Sequence, residues 1–470
     1  MESRKFLIEE YLSHRTMNDP RIHEYKECRF YGICNRVKES FQEEWEESST
    51  EYERILLEHK KAIMGYKKEV AYFKDKIQDY LRENNLMNEG YPSWYESLSD
   101  AIYNEIWGMG GVSEWFTSKY KDSGSAKIIG NRIYFLINGQ SVLMPQPMKD
   151  DKRRQLIKFL LLRTPEKRLS ESYHEVYMVD GTRISIYTGN LIKENQEVIV
   201  FRKFFVKEYT FEKQADMGTI PKEGIGLFKS MIPLGFNIAF TGAVRTAKTT
   251  FLATWQSYES PSLEGVMVET DPEIPLHKIM PQVPIIQLVA DDKRLEKVSR
   301  SILRSDGDYV IMAEARDGAA LDIALRAANK GTRRVKITFH TTDVFDFCYD
   351  VADEVVRVYG GSFRGTIMKV SKSFQFIFNF IQLKDKSQKR LEGIYTLELE
   401  NNEIVFRPIC KYESAGDRWT WKREIGVKVK EMGLREDEGM YAMFEKELDL
   451  LSKQFPMVGA GPIHYAYKEL

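Results

Sequence analysis

The residues best suited to chemistry in this chain are the nine of Gly242-Ala-Val-Arg-Thr-Ala-Lys-Thr-Thr250. Four residues separate Gly242 from Ala247, the spacing of the phosphate-binding pattern G-x-x-x-x-G-K-[ST], with alanine in the second glycine position. A loop of this kind aims backbone N–H groups and a helix N-terminus at phosphate oxygens. Gly242, Ala243, Val244, Arg245, Thr246 and Ala247 would wrap the phosphates, with Thr250 leading into the helix. Lys248 would reach the β- and γ-phosphates, and Thr249 would hold Mg²⁺. The flanks suit that use. Phe236-Asn-Ile-Ala-Phe240 reads as a buried strand, and Thr250-Phe-Leu-Ala-Thr-Trp255 as the start of a helix.

Three further polar groups follow, each at the end of an apolar run. Glu269-Thr-Asp-Pro-Glu273 closes the strand Gly265–Glu269. Glu314 follows Tyr309-Val-Ile-Met-Ala313, and His340 follows Arg334-Val-Lys-Ile-Thr-Phe339. Ligands of open α/β sheets bind at the carboxyl ends of strands, so all three groups belong beside the loop. A carboxylate there can hold Mg²⁺ through water or polarise an attacking water, and an imidazole can sense the γ-phosphate. Each has a plainer reading taken alone. Glu269 or Asp271 could cap a helix, Glu314 could be a capping carboxylate with Arg316, and His340 a turn residue. Three such groups in order behind a phosphate loop are hard to obtain by coincidence.

Placing these groups requires a parallel sheet with helices on both faces, and from about residue 226 the chain alternates apolar strand, loop and helix. Phe374–Ile381 and Leu391–Leu399 continue the sheet. Five segments follow from composition: a charged helical extension over 1–95, a mixed α/β domain over 96–205, and a linker over 206–225. An α/β domain over 226–410 and a helical tail over 411–470 complete the chain. In the extension, Leu56, His59, Ile63, Tyr66, Val70, Phe73, Ile77 and Tyr80 form a heptad stripe of roughly 25 residues, weakened by Gly65. Either a hairpin packed on its own domain or a docking arm fits it. In the second segment, hairpins are expected around Gly130-Asn131 and Asp180-Gly181, with a helix over Asp151–Leu162.

Bulk composition excludes several classes. The chain has 470 residues, 43% apolar and 30% charged, with a net charge of −1. That balance gives no reason to expect a nucleic-acid partner, although Lys152-Arg153-Arg154 and Lys167-Arg168 could form local basic faces or simply solvated helix surfaces. Four cysteines in a long chain fit a reducing compartment, and no apolar run reaches the length of a membrane span. A cytoplasmic protein is expected.

In this order the boxes resemble those of the secretion-superfamily ATPases, which drive type II and type IV secretion and type IV and Flp/Tad pili. The likeness covers roughly residues 96 to 425. Leu303 to Asp317 is similar to the family's Walker B box, Glu269 to Ile274 to its Asp box, and Gly331 to His340 to its His box. Glu105-Ile-Trp-Gly-Met-Gly110, Asp180-Gly-Thr-Arg183 and Val200-Phe-Arg-Lys-Phe204 resemble stretches of its N-terminal domain. The resemblance implies a RecA-like P-loop motor domain, ATP and Mg²⁺ as ligands, and Glu269 and Glu314 as the acidic catalytic pair with His340. It also implies that Arg183 and Arg202 turn toward nucleotide at a domain or subunit boundary; a sheet-surface ion pair is the other reading of these two. A hexamer at the cytoplasmic face of the membrane, working through a polytopic platform protein, is implied as well.

This sequence departs from the pattern at Arg245 and Ala247, where the family loop carries glycines, and at Thr270, Ala313 and Thr332. A non-glycine residue at positive φ costs about 1–2 kcal/mol. The charged and hydroxyl groups closest to hydrolysis, Lys248, Thr249, Glu269, Glu314 and His340, are all retained. The expected function is therefore an ATPase motor for pilus assembly or protein secretion. A degenerate nucleotide-binding subunit and a DNA-uptake or conjugation motor are the alternatives.

Overall fold

The computed structural model describes residues 20–46, 49–161, 172–203, 209–270, 273–290, 292–304, 307–459 and 461–465. Asp271, Lys167, Arg168 and residues 204–208, where the expected second domain ends and the linker begins, lie outside them. The chain divides into two compact units, Met1–Phe205 and Val206–Leu470.

The first unit joins helices to an antiparallel sheet. Its strands are β1 (Ser125–Ile129), β2 (Arg132–Ile137), β3 (Gln140–Leu143), β4 (Tyr173–Tyr177), β5 (Arg183–Tyr187) and β6 (Val198–Arg202), in the order β3-β2-β1-β6-β5-β4. Inward residues alternate along each strand, so Ile184 and Ile186, Ile199 and Phe201 are fully buried. The heptad stripe is not one helix. It is split into Ser49–Ile63 and Lys67–Glu83 at Gly65, whose φ of +92° admits glycine without strain. His59, Phe73 and Ile77 are buried, with Phe73 against Tyr103 and Trp107 of the same unit, which is the hairpin reading of the stripe.

The basic run 152–154 corrects both sequence readings, because helix Asp150–Leu161 turns two of the three residues inward. Arg153 is fully buried and pairs with Glu197 at 2.5 Å and Asp150 at 2.7 Å. Buried Lys152 has no hydrogen bond at Nζ among the described residues, and burial pushes its pKa down to about 7. A lysine whose folded pKa lies below its unfolded value costs stability most below the folded value, and the cost fades as pH rises toward 10. Lys152→Met is therefore expected to raise the unfolding stability of the chain by about 1–4 kcal/mol at pH 6, with a smaller gain at pH 9, measured by denaturant titration.

The second unit is built on one large sheet. Its strands are β7 (Ile238–Gly242), β8 (Gly265–Glu269), β9 (Ile285–Val289), β10 (Tyr309–Ala313), β11 (Lys336–Phe339), β12 (Phe376–Gln382), β13 (Lys389–Glu400), β14 (Glu403–Glu413), β15 (Arg418–Trp421) and β16 (Ile463–Tyr465). The order is β15-β14-β13-β12-β7-β11-β10-β8-β9, with β16 on β14. From β9 to β12 every pairing is parallel, and β12 to β15 continue antiparallel. β7, β8, β10 and β11 are buried along their whole lengths, which is why they read as unbroken apolar runs. This is the RecA-like arrangement: β11 lies between the strand that leads into the phosphate loop and the strand that ends at Glu314.

Two segments differ from the sequence reading. Residues 209–225 are not a free linker, since Phe211 and Ile220 are buried in the core of this unit. Nor is 411–470 wholly helical. Helices Val427–Glu436 and Glu438–Gln454 are joined by β15, β16 and the end of β14, because Arg418-Trp-Thr-Trp421 buries Trp419 and Trp421 against the sheet.

Candidate active site

Strand β7 ends at Gly242, with φ of +130°, where an added Cβ would lie 2.1 Å from the carbonyl oxygen of Phe380. Only glycine fits this approach of backbone to backbone. The loop then turns through two residues in the left-handed region, Arg245 at φ +66° and Ala247 at φ +75°. These are the two positions where the resembling family carries glycine. The backbone thus keeps the shape glycine would favour, at about 1–2 kcal/mol for each substitution. Ala243, Val244 and Arg245 are exposed at the tip, while Thr246 is buried and donates its hydroxyl to the Ala243 carbonyl at 2.9 Å.

Helix Lys248–Ser257 starts directly after Ala247. The Lys248 ammonium is buried and donates to the carbonyls of Gly242 at 2.8 Å and Ala243 at 2.6 Å. It also lies 3.2 Å from His340 Nδ1. Burial lowers the Lys248 pKa to about 8, partly countered by Glu314. His340 is held neutral, its pKa pushed down to about 4 by burial and by the charges of Lys248 and Arg316. A neutral imidazole can accept from Lys248 at Nδ1 and keep a proton on Nε2 for donation. Thr249 and Thr250 are half-buried on the first turn of the helix, and the Thr250 carbonyl accepts from the Thr254 hydroxyl.

The acidic residues stand at the ends of β8 and β10. Glu314 has a left-handed backbone, φ +69°, and its N–H donates to the Thr338 hydroxyl at 2.7 Å. Its carboxylate pairs with Arg316. The helix that follows is capped by Asp317, which accepts from Ala320 N–H at 3.0 Å, so the capping role belongs to Asp317 and not to Glu314. Glu269 does act as a brace, because its Oε1 accepts from the backbone of Glu273 at 3.0 Å and Ile274 at 2.8 Å.

Burial raises the Glu269 pKa to about 8, the two backbone donors oppose this, and the charges of Glu273 and Glu314 add to the rise. A carboxyl group protonated more readily in the folded chain than in the unfolded one loses stability for the fold as pH climbs from its ordinary value toward 8. Glu269→Gln is expected to flatten that decline between pH 5 and pH 8, followed as the unfolding midpoint across the pH range.

The structure thus brings Lys248, His340, Glu314 and Glu269 to one edge of the sheet. It places Arg183 and Arg202 on the first unit, opposite one another across β5 and β6, with Arg183 forked onto Glu175. Sequence reasoning missed Thr338 as the support of Glu314, and weighed Arg316 only as a capping partner. The signal for Thr338 was its position near the end of the strand that leads to His340. Asn379 was missed too: it accepts from the Thr241 hydroxyl at 2.8 Å and donates to Glu392 at 2.5 Å, which ties the loop's strand to β13.

The family described as "Type II/IV secretion system protein" matches residues 135–378, more than half of the chain. The chain belongs to this family. Among curated proteins, the competence protein ComGA of Bacillus subtilis (strain 168) is 24% identical over 218 residues, 45% of this chain and 59% of that relative. The aligned part therefore spans less than two thirds of the relative's length. Among solved structures, the ATPase DotB of Yersinia pseudotuberculosis is 17% identical over 78% of this chain and 89% of its own, with a TM-score of 0.47. The pilus retraction motor PilT with bound ADP is 15% identical over 71% of this chain and 90% of its own, with a TM-score of 0.44. No helix among the described residues of this family member is long and apolar enough to cross a membrane.

Proposed function

We propose that this member of the secretion-system family is a Mg²⁺-dependent ATPase motor that works at the cytoplasmic face of a membrane, as a homo-oligomer of hexamer type. Its work is pilus assembly or protein secretion through a polytopic platform protein. The observation that carries the reading is the contact set of Lys248, held under the phosphate loop by Gly242 and Ala243 and touching His340 from another strand. That set gathers the phosphate-reading groups of two strand ends around one ammonium.

In this reading Gly242 to Thr250 cradle the phosphates, and Lys248 leaves its carbonyl partners for the β- and γ-oxygens. Thr249 and Glu314 hold Mg²⁺, Glu314 and Glu269 are the acidic pair that orients water, and His340 donates toward the γ-phosphate. Among the described residues no cluster of three or more His, Cys, Asp or Glu forms a metal cage. Mg²⁺ keeps waters and phosphate oxygens and needs only one or two protein ligands, which Thr249 and Glu314 would supply. After the larger effect of burial, the charge of Glu314 adds to the rise in the Glu269 pKa, and a cation between the two would relieve it. When bound, Mg²⁺ would neutralise charge on the transferring phosphoryl group.

A second reading, a nucleotide-binding subunit without turnover, is favoured by the strained Arg245 and Ala247. Phosphate release by the purified full chain in Mg-ATP separates the two. Steady release supports the motor; tight binding of ATP with no release supports the silent subunit. Stimulation of that release by DNA, lost at high salt, would instead point to a nucleic-acid motor.

A further inference from the structure

The phosphate loop carries an arginine where its family carries glycine, and the surroundings of that arginine indicate a use. Arg245 sits at the exposed tip of the loop in a left-handed conformation that works against it. No carboxylate among the described residues pairs with it. Beside the loop runs β12, whose Phe380 carbonyl abuts Gly242, and the turn after β12 leads to Lys389 at the start of β13. Lys389 is pinned by two carbonyls, Lys386 and Ser387, each at 2.9 Å. The nearby acid of that turn, Asp385, is itself engaged by Ser387 and Gln388. Burial holds the Lys389 pKa down, the charge of Asp385 opposes this, and the charge of Arg245 adds to the lowering. Lys389 is thus a fixed cation beside the exposed stem of Arg245, and the one acid of that turn, Asp385, is already hydrogen-bonded within the turn.

We propose that Arg245 is a phosphate clamp particular to this chain, forking onto the terminal oxygens of a nucleoside triphosphate from outside the loop while Lys248 holds them from inside. Arginine suits the role because its planar guanidinium stays charged and binds phosphate oxygens in pairs. The strained backbone at Arg245 is then compensated by charge. This inference rests on the proposed nucleotide-binding function and deepens it.

The test is calorimetric titration of the full chain and of Arg245→Gly and Arg245→Lys with Mg-ATP, Mg-ADP and AMP. Glycine relieves backbone strain at this position, so the variant folds and its loop is closer to the family's. The clamp predicts that Arg245→Gly nonetheless weakens Mg-ATP binding by about tenfold, a typical loss for one charge-assisted contact. AMP binding should change little, and Arg245→Lys should fall between. Equal or tighter Mg-ATP binding by Arg245→Gly overturns the clamp and makes Arg245 an obstruction. Absence of Mg-ATP binding by the unaltered chain overturns the proposed function itself, and the clamp with it.

Discussion

Replacing Glu314 with glutamine is expected to lower ATP turnover by about 10²–10⁴-fold while leaving the affinity for Mg-ATP within roughly threefold. The substitution removes a charge and little else. Glutamine has the same length and can still accept from Arg316. The unusual backbone at this position is held from elsewhere, by the N–H donated to Thr338 and by the carbonyl of Thr338 accepting from Ala315 N–H at 2.9 Å. The variant therefore keeps the geometry and loses the carboxylate that, in the proposed function, orients water. Steady-state phosphate release and nucleotide binding, measured on the same preparation, check both halves. A variant that turns over normally would move the role to Glu269, whose carboxylate is buried and already committed to the loop after β8.

The second large effect is expected at Lys248. Lys248→Ala should cost roughly 10²-fold or more in Mg-ATP affinity, because a charged donor to phosphate is worth about 1.5–3 kcal/mol per contact and this ammonium would serve two phosphate groups. Stability should move the other way or not at all. Burial lowers the Lys248 pKa, Glu314 opposes this and Arg316 adds to it, so the charge costs more in the fold than in the open chain. An unfolding midpoint equal to or above that of the unaltered chain, together with lost binding, is the expected pair of results. A lower midpoint would make Lys248 a structural strut of the loop.

Local pattern carried much of this architecture. β7, β8, β10 and β11 are buried on both faces, so each is a short, largely apolar run; β8, β10 and β11 are closed by a polar residue at the carboxyl end and β7 by a glycine. That is why Gly242, Glu269, Glu314 and His340 could be placed at one edge from order alone. Contacts between distant parts of the chain were not legible. Lys248 and His340 are 92 positions apart, and nothing in either segment encodes their approach. Arg153 reads as a surface residue until Glu197, 44 positions on, is brought against it. The antiparallel extension through β13, β14 and β15 depends on register, with irregularities at Asn379/Phe380 and Ile394/Tyr395, so residues beyond 410 looked like a charged tail. The left-handed backbone of Glu314 left no trace either, since a glutamate gives no sign of the positive φ that a glycine would advertise.

Nucleotide binding here depends on a phosphate loop that holds its shape with arginine and alanine at two left-handed positions. The most direct measurement is a crystal structure of the full chain with Mg²⁺ and a non-hydrolysable ATP analogue at saturating concentration. Phosphate oxygens are expected on the backbone N–H groups from Ala243 to Thr249, with Lys248 Nζ drawn away from the Gly242 and Ala243 carbonyls toward the β- and γ-phosphates. A loop with no analogue in it, and Lys248 still bound to those two carbonyls, would contradict it.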